Sequence, residues 1–384
     1  MLTKNINLIN FKKKLNINKV KKQLNLLSKE ENQIIKSLGK FYKYSYKSKQ
    51  IQKFKKNSNY RIIGMGGSSL GARAIYDFLK NKINKNFQFV DNLNAYNFKN
   101  SKKKYTNLVI SKSGNTTETI VNANILIKKK EKNIFITEKK NNYLYLLAQK
   151  LKSDIIHHNN FIGGRYSVLS EVGMIPAELM GLKSNKFKQF NNLIKNKNFV
   201  KNLIFNASSI LYFSKQKKFN SIIINYDEKS ESLFKWYQQL VAESTGKNKK
   251  GILPIISNMP RDNHSVMQLY LDGFKNNFYT FFHVHENKSK KINNNLILKS
   301  HNNLKNKYVA DIILSQKVAT ENVFRKNKIP FRSFEINKRN EQTLGELFSF
   351  FILETILIGK CMNLDPYDQP AVELIKKETQ KLLI

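Results

Sequence analysis

Cysteine, tryptophan, proline, glycine and acidic residues are all scarce in this chain of 384 residues. The single cysteine, Cys361, excludes an intramolecular disulfide framework and a thiolate-rich zinc site, and it suits a reducing compartment. Long hydrophobic runs are missing too. A spanning helix needs about 18 consecutive apolar residues, and the best candidate, Leu347 to Gly359, is interrupted by Glu354 with Glu346 just ahead of it. The N-terminal stretch, MLTKNINLINFKKKLN, lacks the apolar core of a secretory signal. These absences predict a soluble, cytoplasmic protein with no membrane partner. What the chain does hold is 41% hydrophobic residues, including 26 Phe and 17 Tyr, which excludes bulk disorder and allows a sizeable core.

The 27 acidic residues face 68 basic ones, a net charge of +41. Of the basic residues 61 are Lys and only 7 are Arg, and Asn occurs 51 times. Lys, Asn, Ile, Phe and Tyr have AT-rich codons, whereas Arg, Gly, Pro and Ala have GC-rich ones, so an AT-biased genome accounts for the balance. A nucleic-acid binder draws on Arg, which forks onto phosphate and guanine. Here the Lys residues are scattered along the whole length, and no specific nucleic-acid partner is expected. The charge still steers small anions inward.

Residues 1–58 are Lys/Asn-rich with irregular helical spacing, and they read as one or two helices packed outside a first sheet. From Tyr60 short apolar runs alternate with helical stretches: RIIG (61–64), FQFV (87–90), NLVIS (107–111) and NIFIT (133–137), with helices near 69–82, 116–130 and 142–152. The rhythm returns with SIIIN (221–225), ILPIIS (252–257), FYTFFHV (278–284) and FRSFEI (331–336), separated by helices near 231–246, 264–272 and 309–327. Strand–helix alternation of this kind predicts an α/β protein with doubly wound, parallel sheets. The two blocks divide the chain into a helical region 1–58, a first α/β domain 59–190 and a second 200–384 ending in helices. Ligands of such sheets bind beyond the carboxyl ends of the strands, which directs attention to the segments after each apolar run.

Gly64-Met65-Gly66-Gly67-Ser68-Ser69-Leu70-Gly71 opens a helix after the first strand. It is neither a dinucleotide fingerprint nor a Walker loop, because Ser69, Ala72 and Arg73 stand at the wrong places. It reads either as a tight turn or as a ligand contact through Gly67 and Ser68. After the third strand, Ser111-Lys112-Ser113-Gly114-Asn115-Thr116-Thr117-Glu118-Thr119 sets hydroxyls and a Lys on the first turns of a helix, where free N–H groups and the dipole favour an anion. No magnesium-holding carboxylate pattern accompanies it, which points to a phosphate monoester. Gly163-Gly164-Arg165-Tyr166-Ser167 places one of the few arginines in a glycine loop, a planar donor for an anion. Gln239 and Glu243 are four apart, on one helical face beside Trp236, Leu240 and Val241, apolar neighbours that can raise a carboxylate toward the range of a general base. His264 follows Asp262-Asn263 at a helix start, where the dipole favours a neutral imidazole fit for proton transfer. His283 and His285 alternate on a strand with no third ligand, so no metal site is expected. Tyr367-Asp368-Gln369-Pro370 precedes a terminal helix bearing Lys376.

Taken together and in this order, these segments resemble the glucose-6-phosphate isomerase family, over nearly all of the chain past the N-terminal region. The matching blocks are Gly-x-Gly-Gly-Ser-x-Leu-Gly, Ser-Lys-Ser followed by Thr-x-Glu-Thr, Gly-Gly-Arg-Tyr-Ser, Gln-x-x-x-Glu-Ser-x-Gly-Lys, the Asn-His start and Asp-Gln followed by Val-Glu-Leu-x-Lys. The resemblance implies two sugar-isomerase (SIS) domains and a cofactor-free aldose–ketose isomerisation. It implies that Ser111, Lys112, Ser113, Thr116 and Thr119 hold a 6-phosphate and that Gly67 and Ser68 line the sugar. His264 with Lys376 assists ring opening, Glu243 moves a proton between C2 and C1, and Arg165 stabilises the cis-enediolate. Gln239 and Gln369 hydrogen-bond the sugar, and a homodimer supplies His264 across its interface. The chain departs from the family in being shorter than its long bacterial and animal forms, and in Ser69 and Ala72, where an acidic residue and a proline are common. Two alternatives stay open at this point: an isomerase that also takes mannose 6-phosphate, and a non-catalytic sugar-phosphate-binding regulator.

Overall fold

A computed structural model describes residues 1–13, 15–95, 103–128, 131–286 and 288–383. Ten strands form two five-stranded sheets. The first contains β2 (Asn59–Ile63), β3 (Asn86–Val90), β4 (Thr106–Ile110), β5 (Lys132–Thr137) and β6 (Asp154–His157), in the order β3-β2-β4-β5-β6 and parallel throughout. The second contains β1 (Ile6–Ile9), β7 (Asn220–Asn225), β8 (Leu253–Asn258), β9 (Asn277–Val284) and β10 (Phe331–Ile336), in the order β1-β10-β9-β7-β8. All of its pairings are parallel except that of β1 with β10.

Both sheets carry helices on their faces, which is why β4 and β9 are buried at every position and read as unbroken apolar runs. All eight expected strands are present, and the expected helices appear as Leu70–Phe78, Thr117–Leu126, Tyr143–Lys150, Glu231–Thr245, Met267–Asp272 and Val309–Lys326. The expected stretch 116–130 ends at Leu126, and residues 129 and 130 lie outside the described residues.

The N-terminal region departs from expectation. It holds helices Asn18–Leu27, Gln33–Leu38 and Ser48–Gln52, but it also contributes β1 as the antiparallel edge of the second sheet. Ile6 and Leu8 turn inward and Ile9 outward, the alternation of a strand with one buried face. Thr3 donates to Glu346 Oε2 at 2.6 Å, and Lys19 Nζ to the Cys361 carbonyl at 2.7 Å, so this region is tied to the second half as well as to the first.

Helix Glu341–Cys361 is buried everywhere except at Gln342 and Lys360. Glu354, the residue that breaks its apolar run, receives Arg332 Nη1 at 2.5 Å and Nη2 at 3.0 Å. A charge so deep requires a bidentate partner, and removing either member leaves the other stranded. Among the described residues no helix is long and apolar enough to cross a membrane.

In the first sheet the strand order reverses between β2 and β4, the place where open parallel sheets form a crevice at their carboxyl ends. The segments that follow those two strands are 64–69 and 111–116, both singled out by their composition.

Candidate active site

The turn Gly66–Ser68 packs against both Gly164–Leu169 and helix Glu231–Thr245. Its approach to the first of these is as close as backbones allow. A Cβ on Gly67 would lie 2.1 Å from the Gly164 carbonyl carbon, so any side chain there must push the two loops apart. Ser68 is half-buried at the same turn.

Arg165 is 1% exposed, and all five of its N–H donors are engaged. Nε donates to Ser244 Oγ at 2.8 Å. Nη1 donates to Glu243 Oε2 at 3.3 Å and to Gln369 Oε1 at 2.7 Å. Nη2 donates to the carbonyls of Pro366 at 2.7 Å and Asp368 at 2.9 Å. The arginine backbone is pinned in turn, since Trp236 Nε1 donates to its carbonyl at 3.1 Å. One guanidinium thus joins the loop after β6, the end of helix Glu231–Thr245 and the segment before the terminal helix.

Gln239 and Glu243 share a helical face as expected, and Gln239 Nε2 donates to Glu243 Oε1 at 2.8 Å. The carboxylate is therefore held between a guanidinium and an amide, while Gln239 Oε1 has no hydrogen-bond partner. Glu243 and Gln369 border a cavity of about 700 Å³ that runs along Gly246–Lys250 and Asn363–Val372.

The loop after β4 is shaped for an anion. Ser111 Oγ and Thr116 Oγ1 bond each other at 2.9 Å, and Ser111 Oγ also accepts from Gly114 N at 3.2 Å. Gly114 has φ +69°, and a Cβ on it would fall 1.8 Å from Asn142 Oδ1. Ser113 Oγ accepts from Asn115 N at 3.3 Å. None of these three hydroxyls is spent on capping, for helix Thr117–Leu126 has no side-chain cap, and its first-turn N–H groups stay open to a ligand. Thr119, on that turn, is fully buried with an unpartnered hydroxyl. Lys112 is half-buried, and that burial lowers its pKa, opposed by nearby Glu138 and reinforced by Lys140.

His158, at the end of β6, is buried close to this lysine and gives Nδ1 to the Asn159 carbonyl at 3.1 Å. Burial pushes its pKa down to about 4, with Lys112 acting in the same direction. His283 is likewise pushed down to about 4 by burial and then by His285 and Lys317. Both folded values lie below the ordinary 6.5, so between pH 6.5 and 4 the unfolded chain binds the more protons. Stability is accordingly lost as pH falls through that window. From about pH 6.5 to about 5, above the ordinary carboxylate range, the urea midpoint should already drop, and His158→Gln should flatten that drop. An identical pH dependence in the variant would assign the loss to other groups.

Two expected residues are not brought to the cluster. His264 is exposed at the end of a short 3-10 turn, Arg261–His264, and helix Met267–Asp272 starts only after it, so the expected helix N-terminus is not where it sits. It makes no hydrogen bond or ion pair with the described residues of its own chain. Lys376 lies on the exposed helix Val372–Leu382 and pairs with Glu373 at 2.6 Å. The helix begins at Val372, two residues past Pro370. Conversely, sequence reasoning gave no role to Ser244 and Tyr166, which contact Arg165 and each other. Their only signal was adjacency to Glu243 and Arg165. Among the described residues no group of three or more His, Cys, Asp or Glu side chains is arranged to hold a metal ion.

A carboxylate paired with a guanidinium and, elsewhere on the doubly wound sheet, a hydroxyl-rich uncapped helix start are the parts a sugar-phosphate isomerase needs. Comparison with known proteins gives that class a family. The family model described as phosphoglucose isomerase matches residues 29–256. The chain is 32% identical over 380 residues to the glucose-6-phosphate isomerase of Methanocaldococcus jannaschii, covering 94% of this chain and 92% of that protein. The chain belongs to the phosphoglucose isomerase family and is an isomerase. In fold it is similar to a hypothetical protein from Thermus thermophilus, with TM-score 0.81, 19% identity and coverage of 96% and 94%. It is also similar to a glucose-6-phosphate isomerase from Chlamydia trachomatis, with TM-score 0.72, 15% identity and coverage of 91% and 78%. These two likenesses bear on the fold alone.

Proposed function

We propose that the chain interconverts glucose 6-phosphate and fructose 6-phosphate through a cis-enediolate, in the cytoplasm, as a step shared by glycolysis and gluconeogenesis. The observation that carries this reading is Glu243 held between Arg165 and Gln239. Proton transfer between adjacent carbons needs one base on one face of the sugar and a cation where negative charge develops on oxygen. Here the base is Glu243 and the cation is Arg165. Gln239 orients the carboxylate, and both Gln239 and Gln369 hydrogen-bond the sugar. Ser111, Lys112, Ser113, Thr116 and Thr119 hold the 6-phosphate at the helix start, and Gly67 and Ser68 line the sugar between the two groups.

Ring opening needs proton movement at the ring oxygen and the C1 hydroxyl, and it is assigned to His264 with Lys376. Both are exposed in one chain, which fits a homodimer in which His264 enters the partner's site.

The deciding assay follows fructose 6-phosphate conversion to glucose 6-phosphate with a metal chelator present, and runs mannose 6-phosphate in parallel. Turnover of the first is expected; binding of both sugars with turnover of neither would make the chain a regulator instead. Lys112→Ala should raise KM for fructose 6-phosphate about 10–100-fold, the loss of one charge-assisted contact to phosphate, with kcat within a few-fold. Unchanged affinity for every phosphorylated ligand would remove that loop from the site.

A further inference from the structure

Arg165, Ser244 and Tyr166 are all buried. Arg165 Nε lies 2.8 Å from Ser244 Oγ, Ser244 Oγ lies 2.7 Å from Tyr166 Oη, and Tyr166 Oη lies 2.8 Å from the Pro366 carbonyl oxygen. Each hydroxyl has one proton to give, a guanidinium nitrogen only donates and a carbonyl only accepts. Those rules fix every proton. Arg165 donates to Ser244, Tyr166 donates to Pro366, and the remaining contact exists only if Ser244 donates to Tyr166. Arg165 Nη2 also donates to the Pro366 carbonyl at 2.7 Å, so the chain closes into a ring along the Nε/Nη2 edge of the guanidinium. The opposite corner, Nη1, is the one that meets Glu243 and Gln369.

We infer that Ser244 and Tyr166 are positioning residues for the reaction: the ring they form sets the plane of the Arg165 guanidinium and holds Nη1 where the enediolate oxygens can take over its long 3.3 Å bond to Glu243. This rests on Arg165 as the group that stabilises that intermediate. The torsions of an arginine side chain are soft, and the direction of Nε–H fixes how the plane rolls about them. Without Ser244 Oγ the Nε–H is buried and unpaired, and the plane turns to find another acceptor. A displacement of Nη1 by about 1 Å is worth about 100-fold in rate. The ring of Tyr166 lies against the Arg165 guanidinium, 5.0 Å from ring centre to guanidinium carbon, while its hydroxyl acts through Ser244 and Pro366, orienting the serine's proton away from Nε and leaving the lone pair for Arg165.

Three variants test this: Ser244→Ala, Tyr166→Phe and the double variant. Ser244→Ala should lower kcat about 100-fold with KM for fructose 6-phosphate changed less than threefold. Tyr166→Phe, which keeps the ring in the core, should lower kcat about 3–10-fold, and the double variant should lose less than the product of the two single effects because both hydroxyls act on the same guanidinium. A five-carbon aldonic acid 5-phosphate, whose carboxylate imitates the enediolate oxygens, should lose affinity in step with kcat, while inorganic phosphate should not. Inactive wild-type protein would defeat the functional reading itself. Active wild type with Ser244→Ala within threefold in kcat, equal loss of affinity for the acid phosphate and for phosphate, or additive effects in the double variant would each overturn the positioning role. If Ser244→Ala does not fold, Tyr166→Phe decides alone, with unchanged kcat as the contrary result.

Discussion

Glu243→Gln is expected to lower turnover by about 10²–10⁴-fold, the worth of a positioned general base. The substitution keeps size and planarity but removes the lone pair that takes a carbon-bound proton. Gln239 Nε2 and Arg165 Nη1 now donate to different oxygens of the carboxylate, at 2.8 and 3.3 Å, and the new amide keeps only one oxygen, so one of the two donors meets an NH2 group instead. A local rearrangement is therefore expected, but not unfolding, because Glu243 is only half-buried. Affinity for fructose 6-phosphate should stay within a few-fold, since the loop proposed to hold the phosphate, 111–119, is a separate segment. Glu243→Asp should also be slow, as the shorter side chain draws the oxygen back by about one C–C bond. Turnover by purified Glu243→Gln above about a tenth of wild type would exclude a general base of the usual worth, leaving Glu243 a helix-end carboxylate.

Arg165→Lys should cost about 10²–10³-fold in kcat, the loss of one preorganised donor at a developing oxyanion. A lysine brings the charge but neither the plane nor the fork. The three donors of an ammonium at one point cannot reach Ser244, Glu243, Gln369, Pro366 and Asp368 together, as the guanidinium does. The segment 366–369 is held to the body in part by these bonds, so stability should fall too. Thermal unfolding separates the two effects: a folded variant with normal KM and lost kcat locates the defect in the enediolate step. Arg165→Lys with wild-type kcat would show that the guanidinium serves the fold and not the reaction.

The strand–helix alternation was legible because both sheets are buried on two faces, which forces apolar runs such as those at 107–111 and 221–225. β1 was not. Four residues carry little periodicity, and their partner, β10, stands more than 300 positions away in the chain. Gln239 and Glu243 were legible because a helix fixes what lies four residues on. The five acceptors around Arg165 were not, for two of them are backbone carbonyls at Pro366 and Asp368, which carry no sequence signature and arrive by tertiary folding alone. His264 and Lys376 were recognised through the family motifs, yet one chain does not assemble them with Glu243.

The central claim is that Glu243 carries a proton between C2 and C1. It is tested most directly by following exchange of the C1 proton of fructose 6-phosphate in deuterium oxide by NMR, with wild-type and Glu243→Gln protein side by side. The account predicts that wild type introduces solvent deuterium at C1 as isomerisation proceeds, because a carboxylate that lifts a proton shares it with water before returning it, and that the variant introduces none above background. Exchange or isomerisation by Glu243→Gln at the wild-type rate would contradict it.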